Sequence, residues 1–427
     1  MIVATGEHPD QLKTGQPAVA PWLAPALRSR NFRLFWAGQL VSLVGTSLQV
    51  IAEGWLIYDL TGSTFWLGMV GLLALIPVLP ISLIGGLVID RVPRRRLIMI
   101  TQACLLVQAT LFGLLATSGL LQLWHIIVLY FVFGAILAID HPARRAFLVD
   151  LVPPADLAGA VALNAAIFNF SGLIGYALGG LLIATLGAGL AMLLNAVTYL
   201  APLLSLALIR LDDMPPVAAV QEGEPAKGVT ASALSAGLLT LWQQPVILGV
   251  ITLMAVGGGL AWPVFGMLPA YADRILHTDA TGLGILMAAG AFGSVLGTLL
   301  VAKIGSAARG RNLTLVSLVL PLLIIGFAWT TTLLWASLWL IAVGAALLVL
   351  QSLAITLVQL QIPNAVRGRV MSIYSMLHAG SDTGGNVVVG WLGVYVGLPL
   401  ALGLGGLVAF LYACGLRWAL PTVNRLD

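Results

Sequence analysis

Between Asp59 and Asp90 the chain carries no charged residue, and this pattern recurs along its length, with long apolar runs divided by short polar joints. A bilayer core about 30 Å thick takes roughly 20 apolar residues as a helix, so such runs dictate a membrane protein before any motif is considered. The composition agrees, at 60% hydrophobic against 8% charged. Lipid offers backbone groups no partner outside the segment, and the strict alternation expected of barrel strands is missing, so each run reads as a helix.

Cutting the chain at charge and turn residues gives twelve spans, at about 34–58, 65–89, 97–118, 123–139, 157–184, 188–209, 245–271, 282–302, 312–331, 334–358, 367–394 and 398–420. An even number puts both termini on one side, and the basic residues say which. Arg91, Arg94, Arg95 and Arg96 follow span two, Arg144 and Arg145 span four, Arg210 and Lys227 span six, Lys303, Arg309 and Arg311 span eight, and Arg367 and Arg369 span ten. The tails hold Lys13, Arg28, Arg30, Arg33, Arg417 and Arg425, which leaves Arg274 alone on the other face. By the positive-inside rule the termini are cytoplasmic. The net charge of +4 then has a topological origin, because the basic residues form no stripe beside stacking aromatics of the kind nucleic acid needs.

The opening residues, "MIVATGEHPDQLKTGQPAVAPWL", place charges and prolines where a signal peptide has an apolar core, and 1–30 reads as a disordered cytoplasmic tail. Cys104 and Cys414 lie far apart inside apolar runs and suggest neither a disulfide framework nor a metal knuckle. The polar, proline-bearing stretch 211–244 reads as a cytoplasmic linker between two six-helix halves, 31–210 and 245–427. Shifting the chain by 210 residues lays Pro153 on Pro363, Ser171 on Ser381, Gly175 on Gly385, Gly180 on Gly390 and Gly187 on Gly397, as a parallel repeat would.

"GLVIDRVPRR", Gly86 to Arg95, fits Gly-x-x-x-Asp-Arg-x-x-Arg-Arg and resembles the loop between spans two and three of the major facilitator superfamily. "RNFRLFWAGQLVSLVG", "WLIYDLTGS", "HPARRAFLVDLVP", "ALNAAIFN", "LIGYALGG" and "VRGRVMSIYSM" are similar to the bacterial exporter branch that includes the enterobactin exporter and macrolide efflux proteins. The resemblance runs from Arg30 to about Leu420. It implies an all-α major facilitator fold, with 12 transmembrane helices in two pseudo-symmetric halves, in the bacterial inner membrane. It also implies a conformational latch of Gly86, Asp90, Arg91, Arg94, Arg95, Asp140 and Arg367, in which Asp90 meets the N-terminus of span eleven and Arg94 reaches Asp140. The bland alternative makes the arginines a topology signal only. Departures from the family pattern are Gly172 and Tyr176 where members carry arginine and proline in span five, Glu53 in span one, and Asp382 in span eleven.

Enzyme signatures are missing: there is no His-Glu-x-x-His, no Gly-x-Ser-x-Gly and no phosphate-loop lysine. No cofactor or metal is expected. Glu53 and Asp382 are the acids read as lying well inside spans, where each costs on the order of 3 kcal/mol unless partnered or wet. His378 precedes Asp382 by one helical turn, and two readings stand: a proton relay, or a buried pair tying span eleven to span two. Glu53 is placed toward the outer mouth, as a gating or binding group and a third proton-coupling candidate. Gln39, Gln49, Asn164, Asn169, Gln351 and Gln359 are polar candidates for a substrate cavity, each equally able to make an interhelical hydrogen bond. The triple glycine Gly257 to Gly259, followed by Pro263, is a candidate bend. The expectation is a monomeric proton antiporter exporting a small amphipathic compound, neutral or cationic because its cavity would bear acids and no arginine. A facilitator or importer is the second reading, and a non-transporting receptor or assembly factor of the same fold the third.

Overall fold

The computed structural model describes residues 26–210, 241–305, 308–362 and 364–422, except the side chains of 79, 82–90, 169 and 364–365. Fourteen α-helices account for nearly all of it: α1 (Arg30–Thr61), α2 (Thr64–Arg91), α3 (Arg94–Thr117), α4 (Leu123–Asp150), α5 (Leu157–Leu186), α6 (Ala188–Thr198), α7 (Leu200–Leu208), α8 (Pro245–Gly266), α9 (Leu268–Arg274), α10 (Ala280–Ile304), α11 (Arg309–Ala328), α12 (Leu333–Gln361), α13 (Asn364–Val396) and α14 (Leu398–Ala419). Local chemistry sets several ends. The Ser29 side chain accepts from the Phe32 N–H to cap α1, Asp279 accepts from Thr281 and Gly282 at the start of α10, and Gly62 closes α1 at φ +57°.

Ten helical segments among the described residues are long and apolar enough to cross a membrane, against the twelve expected. α2 supplies a shorter apolar stretch, Thr64–Val78. α13 is not among the ten and carries Arg367, Arg369, His378 and Asp382 along its length. Two spans are broken and one runs long. Span six divides at Tyr199 into α6 and α7, span seven divides at Met267, and α4 continues past its expected end through Pro142 to Asp150. The triple glycine lies within the unbroken α8, each glycine facing a different neighbour, Leu350, Asp382 and Ser381 in turn, and the helix ends three residues after Pro263. Large apolar side chains such as Leu204, Leu299 and Leu315 point outward, whereas Gln49, Glu53, Gln102, Asp140 and Asn195 are buried. This inside-out distribution suits a lipid-solvated surface.

The positions related by 210 residues do the same jobs. Gly187 and Gly397 end α5 and α13 with one backbone conformation, φ 83° and ψ 156° against φ 83° and ψ 152°. Gly175 presses α5 onto α1 at Val44, and Gly385 presses α13 onto α8 at Gly259. Gly180 and Gly390 serve the two long crossings, α5 on α10 and α13 on α2. A Cβ built on Gly180 falls 2.6 Å from the Gly284 Cα, and one on Gly390 falls 2.5 Å from the Thr64 carbonyl oxygen. Only glycine permits such approach without displacing a helix backbone.

Candidate functional site

α1, α4, α5, α8, α10, α12 and α13 surround three adjoining chambers that meet at Val50, of about 450, 460 and 270 Å³. The first reaches the arginine-rich end and is lined by Gln39, Asp140, His141, Arg144, Arg145 and Asn164. The second lies between α5 and α8, α10, α12 and α13, with Tyr176, Trp262, Phe265, Ser294, Gln351 and Asn386 on its walls. The third, against Glu53, Tyr130, Pro269 and Asn386, lies toward the opposite end.

At that opposite end hydrogen bonds link α1 and its cap to α9. The Tyr58 hydroxyl on α1 donates to Asp273 Oδ2 at 3.1 Å and accepts from Arg274 Nε at 2.6 Å, and Arg274 also donates to the Gly62 carbonyl. The same guanidinium lies 5.4 Å from the Tyr58 ring centroid. Nearby, the Thr64 hydroxyl donates to the Gly390 carbonyl at 2.8 Å. Arg274, the one basic residue outside the charge alternation, thus makes a bridge that sequence reading missed.

Asp140 was expected to receive Arg94, and it does not. Arg94 pairs with Asp150 at 2.6 Å, while Asp140 sits 2.6 Å from Arg144 Nε, one turn along its own helix, and accepts from Thr101 and Gln102 at 2.6 and 3.0 Å. Asp140 is fully buried. Asp140 and Arg144, two of the charges that seemed to end span four, pair on the helix face itself, and α4 runs on through them. The cavity therefore does hold arginines, contrary to the expectation drawn from sequence. The side chains of Gly86 and Asp90 lie outside the described residues, and Arg91 and Arg367 are exposed.

Glu53 is not at an open mouth. It is 2% exposed; Gln49 Nε2 donates to it at 2.6 Å, the Tyr130 hydroxyl bonds it, and Asn195 and Tyr199 donate in turn to the Gln49 side-chain Oε1. Gln49 is consumed in this network and Gln359 is exposed away from the chambers, so neither lines the cavity; Gln39, Asn164 and Gln351 do. The Asn169 side chain lies outside the described residues. Glu53→Leu is expected to orphan the Gln49 amide and the Tyr130 hydroxyl, each costing about 1–3 kcal/mol, and to lower the unfolding midpoint well below that of Glu53→Gln. Thermal unfolding in detergent reads the difference; equal midpoints would contradict the network.

On α13 the His378 Nδ1 lies 3.0 Å from Asp382 Oδ2, with the two side chains 31% and 21% exposed. Asp382 lies near Gly258 of α8, and on the same helix Thr383 and Asn386 lie against Gly71 and Gly68 of α2. Asn386 was missed in the sequence, although its spacing from His378 and Asp382 continues one four-residue ladder. Its Nδ2 donates to the Asp382 carbonyl at 2.8 Å, leaving Oδ1 buried without a partner, as is Nε2 of Gln351. No group of His, Cys, Asp and Glu able to hold a metal occurs among the described residues.

Residues 20–427 match the family of transmembrane secretion effectors. The multidrug efflux pump Tap of Mycolicibacterium fortuitum is 27% identical over 91% of this chain and 95% of its own. The enterobactin exporter EntS of Shigella flexneri is 28% identical over 85% of each chain. Among solved structures, a bacterial homologue of the human lysosomal transporter Spinster, inward-facing and unoccupied, aligns with a TM-score of 0.70 at 13% identity over 95% of this chain and 98% of that one. The nucleoside transporter NupG aligns at 0.68 with 14% identity, over 93% and 100%.

Proposed function

Because this chain belongs to the transmembrane secretion effector family of major facilitator transporters, we propose that it exports a small amphipathic compound by proton antiport through alternating access. It is a multi-pass membrane transporter, not an enzyme. The observation that supports the finer reading is the run of chambers at the centre of the bundle, bridged at one end by the Tyr58–Arg274 bond and extending at the other to the exposed Arg145. Alternating access needs such a one-sided cavity and a seal that can part. The export direction follows the efflux pump and the siderophore exporter to which the chain is similar.

In this reading the chain crosses a bacterial cytoplasmic membrane twelve times as a monomer with both termini inside, and 211–244 links the half 31–210 to the half 245–427. His378 and Asp382 carry the proton, being a partly open titratable pair one turn from Asn386 on the wall of two chambers. As the family resemblance implies, Asp90 at the end of α2 meets the N-terminus of span eleven and so holds the arginine-rich end in one of its two states. A carboxylate at a helix N-terminus is favourable by about 0.3–1 kcal/mol, enough to bias two conformations without locking either. Asp90→Asn is accordingly expected to leave the protein folded but shift the balance of states by a few-fold, read by fluorescence distances across that face; an unchanged balance with normal transport would reduce the arginines to a topology signal.

The reading as a whole is tested in cells. Expression should lower the steady-state content of amphipathic fluorescent dyes severalfold, and the effect should vanish with a protonophore. Raised dye content would point to an importer, and survival of the effect in the protonophore would remove the antiport.

A further inference from the structure

The chamber at the arginine-rich end has a charge balance the export reading does not use. Its lining includes one acid, Asp140, and two arginines, Arg144 and Arg145. Asp140 is buried and held by Thr101 and Gln102, so it anchors Arg144, whose side chain is only 12% exposed. The Arg144 Nε lies against Asp140 Oδ2 as a charge contact without hydrogen-bond alignment, and neither arginine donates a hydrogen bond to any described residue. One carboxylate against two guanidiniums leaves a net charge of +1 at the edge of a low-dielectric cavity, with Arg144 held in place by Asp140 and Arg145 exposed beside it. Phe168 and Tyr176 lie beyond and line this chamber and the next.

We propose that Arg144 and Arg145 form an anion subsite that takes the carboxylate or sulfonate of an organic anion, whose apolar body lies against Phe168 and Tyr176. This deepens the transporter reading and rests on it for the ligand's passage, but not for its binding. A topology signal would be served by arginines in any loop position, whereas Arg144 is pinned inside the helix bundle by a buried carboxylate. A planar guanidinium held from one side and free on the other suits a carboxylate in two-point contact. The preference of the cavity is then for acids, not for the neutral or cationic compounds expected from sequence.

The subsite is tested without transport. In full-length protein with Cys104→Ala and Cys414→Ala, the cavity-lining Asn164→Cys is labelled with neutral N-ethylmaleimide in phosphatidylcholine nanodiscs, with 1-naphthoate or 1-naphthamide as protectant. The acid is expected to protect at roughly tenfold lower concentration than the amide. Arg145→Gln, which leaves the Asp140–Arg144 pair intact and so avoids a folding defect, should erase the difference, and Arg145→Lys should keep part of it. Equal protection by acid and amide, or none by either, overturns the proposal. Repeating the labelling with phosphatidylglycerol separates the sources of the anion: an unchanged preference assigns the subsite to solutes, and loss of it would give the arginines to lipid phosphate and sink the proposal. Labelling without protection in a chain that still exports dyes removes the subsite and spares the transporter; protection in a chain that exports nothing does the reverse.

Discussion

Asp382→Asn is expected to abolish uphill transport while ligand binding and downhill exchange persist. The substitution keeps the size and shape of the neutral acid and removes only the charge change on protonation, which is the part of the cycle that couples a gradient to a conformation. The position allows this: Asp382 is partly exposed, in charge contact with His378 through one oxygen and near Gly258 of α8, so no packed contact is lost with the charge. One pH unit supplies about 1.4 kcal/mol per proton, so single-proton antiport sustains roughly tenfold accumulation that should fall to none in the variant. His378→Gln leaves the carboxylate in place and should alter the pH at which transport is half-maximal rather than eliminate it. Full gradient-driven activity in the asparagine protein would return the pair to a structural role.

Tyr58→Phe is expected to favour the state open at the end where Arg274 sits. One hydroxyl accepts from Arg274 and donates to Asp273, so its loss removes both bonds from α1 to α9 while keeping the ring packed. Arg274 is exposed, and solvent weakens what a charged bond is worth, so about 1–2 kcal/mol is a fair allowance. That shifts a two-state ratio by a factor of about 5–30. Spin-label distances between Ser63 and His277, which flank this bridge, should acquire a longer population; Arg274→Met should do so at least as strongly, since it removes the bonds to Tyr58 and to the Gly62 carbonyl together with the contact to the Tyr58 ring, and leaves only the Tyr58–Asp273 bond. Identical distance distributions in both variants would show that the helix crossings at Gly180 and Gly390, and not this bridge, hold the end closed.

Much of the helical framework was legible because lipid leaves an apolar run a single regular structure, and because the glycines paired at a spacing of 210 residues sit where helices must touch. What failed was partner choice. Asp140 and Arg144 stand four residues apart, the spacing of neighbours on one helix face, and that signal was available; it was overridden by reading any cluster of charge as a loop. The ladder His378, Asp382, Asn386 has the same spacing, and its last member was passed over because a lone asparagine in a span is unremarkable by itself. Other features had no local signal. Whether Glu53 faces a cavity or a sealed network depends on Gln49, Tyr130 and Asn195, which converge from three helices. The bridge from Tyr58 to Arg274 joins residues more than two hundred positions apart, and only the packed bundle brings them together.

The central claim is that proton movement and solute movement are one cycle. Purified protein in liposomes with a trapped pH-sensitive dye, challenged with amphipathic acids and bases under an imposed pH gradient, measures both at once. The account predicts that a transported solute triggers proton flux in the opposite direction, in fixed proportion to solute moved, and that Asp382→Asn abolishes the proton flux while solute still exchanges down its gradient. Solute accumulation with no accompanying proton flux, or the same flux in the asparagine protein, would contradict it.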